Sequence, residues 1–335
     1  MAGGITTPQL VAAAANHGGV GSFGFAYSTP EKIHTDLVMT QSMTSGPINA
    51  NFFVFSPVYL PSEQIQKNAM QALGSLGVGG VQSLALPVEP FYPNLMEQLE
   101  PIWKTRPAIL SFHFGLPPEG VIEKAHALGI AVGISATGLT EALAIESVNA
   151  DFIVAQGIEA GGHRGQFDVQ SKDEALSTLA LTAQLAKHCR IPIVAAGGIM
   201  NGAHIKNALA KGAQAVQMGT AFLCCDESGT PPSYRHYLLH KQDRPTTLTK
   251  AFSGRLARGL ENTFTRTMQE QTILPFPLQN TLTGPLRQWA VAQHDAEYQS
   301  LWAGTAYAQI RSMSTKDLMQ QLRTEIEAQH QNANE

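Results

Sequence analysis

The chain has 335 residues, 44% of them hydrophobic, and a formal net charge of −4. This length and apolar content predict one large α/β domain with room for a small appendage. The slightly acidic balance and the lack of long Lys/Arg runs argue against binding to nucleic acid or to an anionic membrane. No segment reaches the ~18 uninterrupted apolar residues of a membrane-spanning helix.

Two features of the sequence predict a cytoplasmic protein. The N-terminus has no basic segment ahead of an apolar one, as a secretory signal peptide would have. The cysteines are Cys189, Cys224 and Cys225, and an odd count with two adjacent members does not suit a disulfide framework. We therefore expect buried, reduced cysteines that act as small hydrophobic residues.

Short apolar segments without charge alternate with helical segments along most of the chain. Near-continuous apolarity is typical of strands that are buried on both faces of a parallel sheet. Seven strands are predicted in chain order, at Gly19–Ala26, Ile48–Phe55, Ala108–Phe114, Ile130–Ala136, Phe152–Gly157, Ile193–Gly198 and Ala215–Leu223.

The series of strand–helix units favours an α/β fold of the TIM (β/α)8 barrel type over an open, doubly wound sheet. An eighth strand is missing from the series, and it would precede a helix that starts near Pro8. Since only Met1–Ile5 stand before that helix, we expect a truncated or very short first strand.

Residues that favour helix ends stand between the predicted strands. Thr7 and Thr29 each precede a proline, which is the pattern of an N-cap followed by proline in the first helical turn. Ser171 with Glu174 predicts a capping box ahead of a long helix rich in Ala and Leu.

The pattern changes after Leu223, where no further buried strand is expected. Two helical segments are predicted there, Pro285–Ala303 and Thr315–Gln331. We expect residues 1–224 to form the barrel and residues 225–335 to form a helical subdomain that caps the barrel mouth.

The carboxyl ends of the predicted strands carry neutral polar side chains, namely Asn51, His113, Gln156 and Gln217. Barrels of this kind keep their chemistry at that end. No lysine lies in a predicted strand, which disfavours a Schiff-base or pyridoxal enzyme. Apart from Asp151 at the amino end of its strand, no carboxylate lies in a predicted strand, which disfavours a metal site. Neutral amides together with glycines suit a large polar heterocycle such as a flavin.

The ends of the last two predicted strands form a candidate phosphate site. Ala195–Ile199 ends one strand and leads to Asn201, a good N-cap for the next helix. The following strand ends in Gln217, Met218, Gly219 and Thr220. Such loops after the seventh and eighth strands, together with a helix N-terminus, hold phosphate groups in barrels. We infer bound FMN with its phosphate near Gly198, Gly219 and Thr220, the alternative being tight turns alone.

A glycine loop, Gln156–Gly165, follows the fifth predicted strand and holds His163. Glycines let the backbone approach a flat or phosphorylated ligand closely, because no Cβ stands in the way. The loop thus places a titratable imidazole where such folds keep their chemistry.

Several short motifs, in order along nearly the whole chain, resemble the nitronate monooxygenase family, formerly called 2-nitropropane dioxygenases. The motifs are Met1–Gly4, Ser111–Gly115, Gln156–Gly165, Ala195–Ile199, Gln217–Phe222, Ala251–Arg255 and Ser300–Gly304. The resemblance implies an FMN-dependent TIM barrel with a small helical domain, which oxidises alkyl nitronates with O2 to a carbonyl compound and nitrite. Propionate 3-nitronate is the physiological substrate that the resemblance implies.

The resemblance also implies residue roles. His163 corresponds to the family's catalytic histidine and His113 to a second active-site histidine. The implied FMN contacts are Asn51, Gln156, Gly161, Gly198, Gln217, Met218, Gly219 and Thr220, with the backbone of Met1 and Ala2 near the flavin ring. In the family the Met-Ala-Gly-Gly motif ends the first strand, whereas here it begins the chain.

The chemistry of a nitronate sets what these residues must supply. A histidine with a pKa near neutrality is expected to hold the nitro oxygens, and to deprotonate a neutral nitroalkane where one is accepted. His113 has a second interpretation as a hydrogen-bonded core residue, and Arg164 is either an ion-pair or a phosphate partner. Candidate pocket aromatics are Tyr92, Trp302 and Tyr307.

Two other functions stay open. An FMN-dependent NAD(P)H enoyl-thioester or quinone reductase would share the barrel and a similar Glu-Ala-Gly-Gly-His loop, although that loop usually continues with Ile where this chain has Arg164. A non-catalytic barrel that has lost its cofactor is the second alternative. The sequence leaves oligomerisation open.

Overall fold

The computed structural model describes residues 3–331. Within them the strands are β1 (Gly21–Gly24), β2 (Ile48–Phe53), β3 (Ile109–His113), β4 (Ala131–Ala136), β5 (Phe152–Gln156), β6 (Gly162–His163), β7 (Ile193–Ala196), β8 (Ala215–Gln217), β9 (Thr246–Thr249) and β10 (Ala257–Leu260). Seven of these strands pair in parallel in the order β1-β2-β3-β4-β5-β7-β8. Each predicted strand is found, and the last is shorter than predicted because Thr220–Phe222 forms a 3-10 turn.

A helix connects each strand of the parallel sheet to the next, as parallel pairing requires. The helices within the described residues are α1 (Pro8–Asn16), α2 (Pro30–Met43), α3 (Glu63–Gly74), α4 (Leu95–Thr105), α5 (Val121–Ala127), α6 (Leu139–Ser147), α7 (Thr178–His188), α8 (Gly202–Ala210), α9 (Pro232–His240), α10 (Thr263–Thr267), α11 (Leu278–Leu282), α12 (Gly284–Ala292) and α13 (Thr315–Gln331). None of them has both the length and the apolar surface that crossing a membrane requires.

The parallel sheet curls so that its strand ends surround one cavity, which residues of all seven strands line. The apolar side chains on the other face of the sheet pack against the helices. Phe23, Phe52, Leu110 and Ile134 belong to this main core, and each is at most 1% exposed. The near-continuous apolarity of the strands is explained by this burial on both faces.

The sequence before α1 bridges the gap between the two ends of the sheet. Residues 3–5 form a turn. The Gly24 N–H of β1 donates to Thr6 Oγ1 at 3.4 Å, and the Gly229 N–H beyond β8 donates to the Ile5 carbonyl at 3.0 Å. No strand precedes α1 in residues 3–331, in keeping with the predicted truncated first strand. Met1 and Ala2, predicted to contact the flavin ring, lie outside the described residues.

Several predicted helix caps are confirmed. Thr7 Oγ1 accepts from the Leu10 N–H at 3.0 Å, and Thr29 Oγ1 accepts from Lys32 at 3.3 Å. Asn201 caps α8 through its Oδ1, which accepts from the His204 N–H at 2.9 Å.

The predicted capping box at Ser171 and Glu174 is wrong. Helix α7 starts at Thr178, and its N-cap is Ser177. Ala175, with a φ of 51°, interrupts any helix before it. Asp173 fixes this break, since its Oδ1 accepts from the Ala175 N–H at 2.9 Å.

The expectation of no further buried strand after Leu223 is also wrong. Strands β9 and β10 pair antiparallel with each other, and β10 pairs with β6, so that the described residues contain a second, three-stranded sheet. Most of β10 is buried. The predicted helix Pro285–Ala303 is shorter in the structure, where α12 ends at Ala292, whereas Thr315–Gln331 is confirmed as α13.

Candidate active site

A cavity of about 640 Å³ lies at the carboxyl ends of the parallel strands. Many of the predicted site residues line it: Asn51, His113, Gln156, Gly161, His163, Gly198, Gln217, Gly219 and Thr220. The side chain of Met218 instead packs against the apolar cluster around α8 and α9. Residues distant in sequence therefore converge on one site because parallel strands present the same end to it.

The segment that holds His163 is more ordered than the predicted glycine loop. Gly162 and His163 form β6, in which His163 pairs with Ala257 of β10. Two glycines permit this path, since Gly162 has a φ of 80° and a Cβ on Gly161 would lie 2.6 Å from the backbone of Ala303. The backbone that carries the imidazole is consequently part of a β-sheet.

Hydrogen bonds determine which nitrogen of His163 carries the proton. The Ser253 hydroxyl donates to the Arg255 carbonyl at 3.0 Å, so it is left to accept from His163 Nε2, which lies 2.9 Å from it. The neutral ring is therefore the Nε2–H tautomer. Its Nδ1 forms no hydrogen bond with the described residues and is a free acceptor.

Two side chains from the parallel strands fix the backbone of His163. His113 Nε2 donates to the His163 carbonyl at 3.2 Å, and Gln156 Nε2 donates to the same oxygen at 2.8 Å. Gln156 Oε1 accepts from the Gly165 N–H at 2.7 Å. Gln156, predicted as a flavin contact, thus uses both its amide nitrogen and its amide oxygen to bind the backbone around His163.

Arg164 has a structural role. Its side chain is 1% exposed and forms a bidentate ion pair with Asp173, at 2.8 and 2.9 Å. Its Nη1 donates to the carbonyls of Gln156 and Gly157 at 2.9 and 3.1 Å. Of the two predicted roles, the ion-pair partner is therefore the one found.

Both histidines are neutral at physiological pH. Burial, together with the nearby His113, Arg255 and Arg287, lowers the pKa of His163 to about 3. Burial likewise lowers the pKa of His113 to about 4, with Arg255 and Arg164 acting in the same direction and its bond to the His163 carbonyl opposing them. The expectation of a histidine pKa near neutrality is wrong, because these rings border the cavity and protein instead of bulk water.

Aromatic rings surround His163. The rings of Trp302, Phe276, Phe114 and Phe53 have centroids between 5.5 and 6.0 Å from the imidazole centroid. Trp302 and Phe53 also line the cavity. These rings supply the apolar surroundings that keep the imidazole neutral.

The predicted pocket aromatics have different places. Trp302 lines the cavity as predicted. Tyr92 stacks on Phe55 with a centroid distance of 4.9 Å, and the Tyr307 hydroxyl donates to the Lys241 and Arg244 carbonyls. Neither of these tyrosines lines the cavity.

The predicted phosphate site combines two glycines at positive φ with a helix N-terminus. Gly197 and Gly198 have φ values of 124° and 66°, and a Cβ on Gly198 would lie 3.1 Å from Glu159. Both residues border the cavity just ahead of α8. Thr220 Oγ1 accepts from the Gly304 N–H at 3.0 Å, which joins this end of the cavity to the C-terminal part of the chain.

Among the cavity residues that sequence reasoning missed are Tyr27, Asn49 and Arg287. Burial raises the pKa of Tyr27 well above its ordinary value, and Arg287 and Arg255 oppose this shift. Asn49 sits two residues before Asn51 on β2, a period-2 signal that the sequence did contain. Arg287 carries no such signal, since it lies on α12.

Comparisons with known proteins agree with this architecture. The sequence matches the family model described as nitronate monooxygenase over residues 1–325. A nitronate monooxygenase of Paraburkholderia phytofirmans is 40% identical over 335 residues, which cover 96% of this chain and 90% of that protein.

Solved structures extend the agreement to the fold. A nitroalkane oxidase from Streptomyces ansochromogenes superposes with a TM-score of 0.94 at 34% identity, covering 100% of this chain and 96% of that one. FabK from Thermotoga maritima superposes with a TM-score of 0.76 at 24% identity, covering 99% and 93% of the two chains, a likeness that concerns the fold alone. The barrel prediction is confirmed, and the chain belongs to the nitronate monooxygenase family.

Proposed function

We propose that the protein oxidises alkyl nitronates with O2 to a carbonyl compound and nitrite, with FMN as its cofactor and propionate 3-nitronate as its substrate. The observation that carries the proposal is the pair of neutral histidines beside a cavity of neutral amides and glycines. A nitronate has already lost its proton, so a site for it needs an electron acceptor more than a strong base.

The residues that line the cavity fit FMN. The amides of Asn51 and Gln217 offer donors and acceptors to a flavin edge. Asn49 Oδ1 is buried without a hydrogen-bond partner in the described residues, and a donor on a ligand would satisfy it. Glycine backbone at Gly198 and the α8 N-terminus suit the phosphate. When bound, FMN would accept electrons from the nitronate and pass them to O2.

The protein side chains would orient the substrate and keep water out. His163 would present its free Nδ1 lone pair to the substrate, to take the proton of a neutral nitroalkane where one is bound. His113 and Gln156 would hold the His163 backbone in that position. Trp302 and Phe53 would exclude water from the reacting atoms.

The proposed division of the chain at residue 224 is compatible with this arrangement. Tyr234, Asn280 and Trp302, all beyond that residue, line the same cavity as the strand ends. The C-terminal part would thus cap the barrel mouth and determine which substrates fit.

Steady-state assays of the FMN-loaded protein test the proposal. We expect O2 uptake with ethyl nitronate and with propionate 3-nitronate, accompanied by nitrite release. A parallel assay replaces the nitronate with NADPH or NADH plus a quinone or an enoyl thioester. Oxidation of the nicotinamide without nitrite release from nitronates would contradict the proposal in favour of a reductase. Protein that is colourless after incubation with excess FMN and removal of the unbound FMN would contradict it in favour of a non-catalytic barrel.

A further inference from the structure

Arg287 is the only residue with a formal charge at neutral pH among the described residues that line the cavity. The other polar lining residues are amides, hydroxyls and the two histidines, whose depressed pKa values leave them uncharged. Any positive charge that a ligand meets directly in this cavity therefore comes from one guanidinium.

The Arg287 guanidinium is held in place without being neutralised. Its Nη2 donates to the carbonyl and to Oδ1 of Asn280, at 2.6 and 3.1 Å. Its Nε is buried and has no hydrogen-bond partner in the described residues, and no carboxylate there lies within ion-pair distance of it. A buried donor left unsatisfied is costly, so an acceptor from a ligand would stabilise it.

Arg255, the other nearby cation, already has protein partners. Arg255 donates to the carbonyls of Arg164 and Gln166, and its guanidinium carbon lies 3.7 Å from the centroid of the Phe114 ring. It does not line the cavity. Both Arg255 and Arg287 act electrostatically on Tyr27 and His163. Of the two, Arg287 also lines the cavity, so a ligand there would meet its guanidinium directly.

We propose that Arg287 binds the negatively charged oxygens of the substrate. His163 cannot donate a hydrogen bond to them, because its one N–H is bonded to Ser253. The inference rests on the proposed function. A nitronate has two coplanar oxygens that share its charge, and a planar guanidinium matches such a pair with two parallel N–H groups. Arg287 thereby selects the anion over the neutral nitroalkane.

Substitution of Arg287 tests the inference by separating the binding of charged and neutral compounds. In Arg287→Gln we expect the KM for ethyl nitronate to rise about 10- to 100-fold, because a hydrogen bond to a charged group is lost. The inhibition constant of freshly dissolved, neutral nitroethane and the affinity for FMN should stay within about twofold. Arg287→Lys should recover part of the KM, because it keeps the charge without the planar fork.

The matched control is Arg323→Gln, which removes the same charge from α13, in a surface groove beside His17 and Lys316. This variant should keep the KM of the wild type. An unchanged KM in Arg287→Gln would overturn the inference, as would equal losses of nitronate and nitroethane binding. Loss of FMN affinity with an unchanged KM would overturn it too.

Binding of an unreactive anion tests the role of Arg287 without requiring turnover. Nitrate is a planar anion, and its binding should change the fluorescence of Trp302, which lines the same cavity. We expect nitrate to quench the wild type and Arg323→Gln saturably and Arg287→Gln at least tenfold more weakly. If nitronates are not oxidised but this difference persists, the proposed function fails while the anion site stands. Equal nitrate binding by all three proteins would overturn the anion site itself.

Discussion

His163 is a neutral hydrogen-bond acceptor in this structure. Burial and the neighbouring His113 and arginines lower its pKa to about 3, and its Nε2–H donates a hydrogen bond to the Ser253 hydroxyl oxygen. From sequence alone His163 could be located but not assigned a protonation state, because the aromatic rings that enclose it come from four distant segments of the chain. Burial is a property of packing, which residue spacing does not reveal.

Replacement of His163 by asparagine should strongly lower the oxidation of neutral nitroethane, whose proton the ring would take, and should lower the oxidation of ethyl nitronate much less. The substitution keeps a polar side chain but removes the ring nitrogen that would accept the proton, and loss of a general base commonly costs about 10²–10⁴-fold in rate. The visible spectrum of bound FMN should be unchanged. Steady-state kinetics and absorbance spectra of the same preparation measure both, and wild-type kinetics in His163→Asn would remove the histidine from the mechanism.

The depressed histidine pKa values also predict a loss of stability in acid. His113 and His163 titrate near pH 4 and 3 in the folded protein but near 6.5 when unfolded. Below pH 6.5 the unfolded chain therefore binds more protons, and the free energy of unfolding falls as the pH drops towards 4. Each histidine contributes at most about 1.4 kcal/mol per pH unit.

Urea unfolding at pH 7 and pH 5 measures this effect. In His113→Asn the difference in unfolding free energy between the two pH values should be smaller than in the wild type, because one of the two titrating groups is gone. An equal difference in both proteins would contradict the low folded pKa of His113.

Two short elements determine the geometry of the site: β6, which carries His163, and the glycine turn ahead of α8. The sequence predicted a glycine loop at the first and a phosphate site at the second. The pairing of β6 with β10 was not predictable, since β10 lies about ninety residues later and only two residues of β6 take part. The turn was predictable, because paired glycines and an Asn N-cap are local signals.

Gly198→Ala should weaken FMN binding without unfolding the protein. Its φ of 66° strains any other residue, and the added Cβ would meet Glu159 at 3.1 Å, so the turn must shift. Gly74→Ala at the end of α3 is the matched control, since its Cβ would meet no atom within 4 Å. Equilibrium dialysis against FMN compares the two variants, and equal affinities would contradict a phosphate site at Gly198.

The ion pair of the buried Arg164 with the partly exposed Asp173 should contribute to the stability of the same region. Removing one partner of a buried ion pair leaves a charge uncompensated and typically costs about 3–5 kcal/mol. We expect Arg164→Gln to lose that much unfolding free energy in urea titrations. Arg266→Gln, which breaks an exposed pair with Glu261, should lose less than about 1 kcal/mol. Similar losses in both variants would contradict the structural role of Arg164.

At the scale of the whole molecule, the repeated units of the chain were the most predictable feature. All seven parallel strands lie within the predicted ranges. Most of them are buried on both faces and so leave a continuous apolar signal, whereas β8 is partly exposed. The second sheet was missed, since β9 and β10 are four residues each and β9 is only half-buried. Short, partly exposed strands in a long connecting region leave almost no periodicity to detect.

The placement of Arg287 was likewise beyond the sequence. It lies on a helix of the C-terminal part, and only the packing of that part over the strand ends brings it to the cavity. The sequence identified the residues at strand ends, which the barrel topology brings together, but not those that the capping segment adds.

An anaerobic stopped-flow experiment with the FMN-loaded protein tests nitronate oxidation most directly. Mixing with ethyl nitronate in the absence of O2 should bleach the visible flavin absorbance, and a second mix with O2 should restore it as nitrite appears. The same protein mixed anaerobically with NADH or NADPH should bleach slowly or not at all. Rapid bleaching by the nicotinamide, with none by the nitronate, would contradict nitronate oxidation.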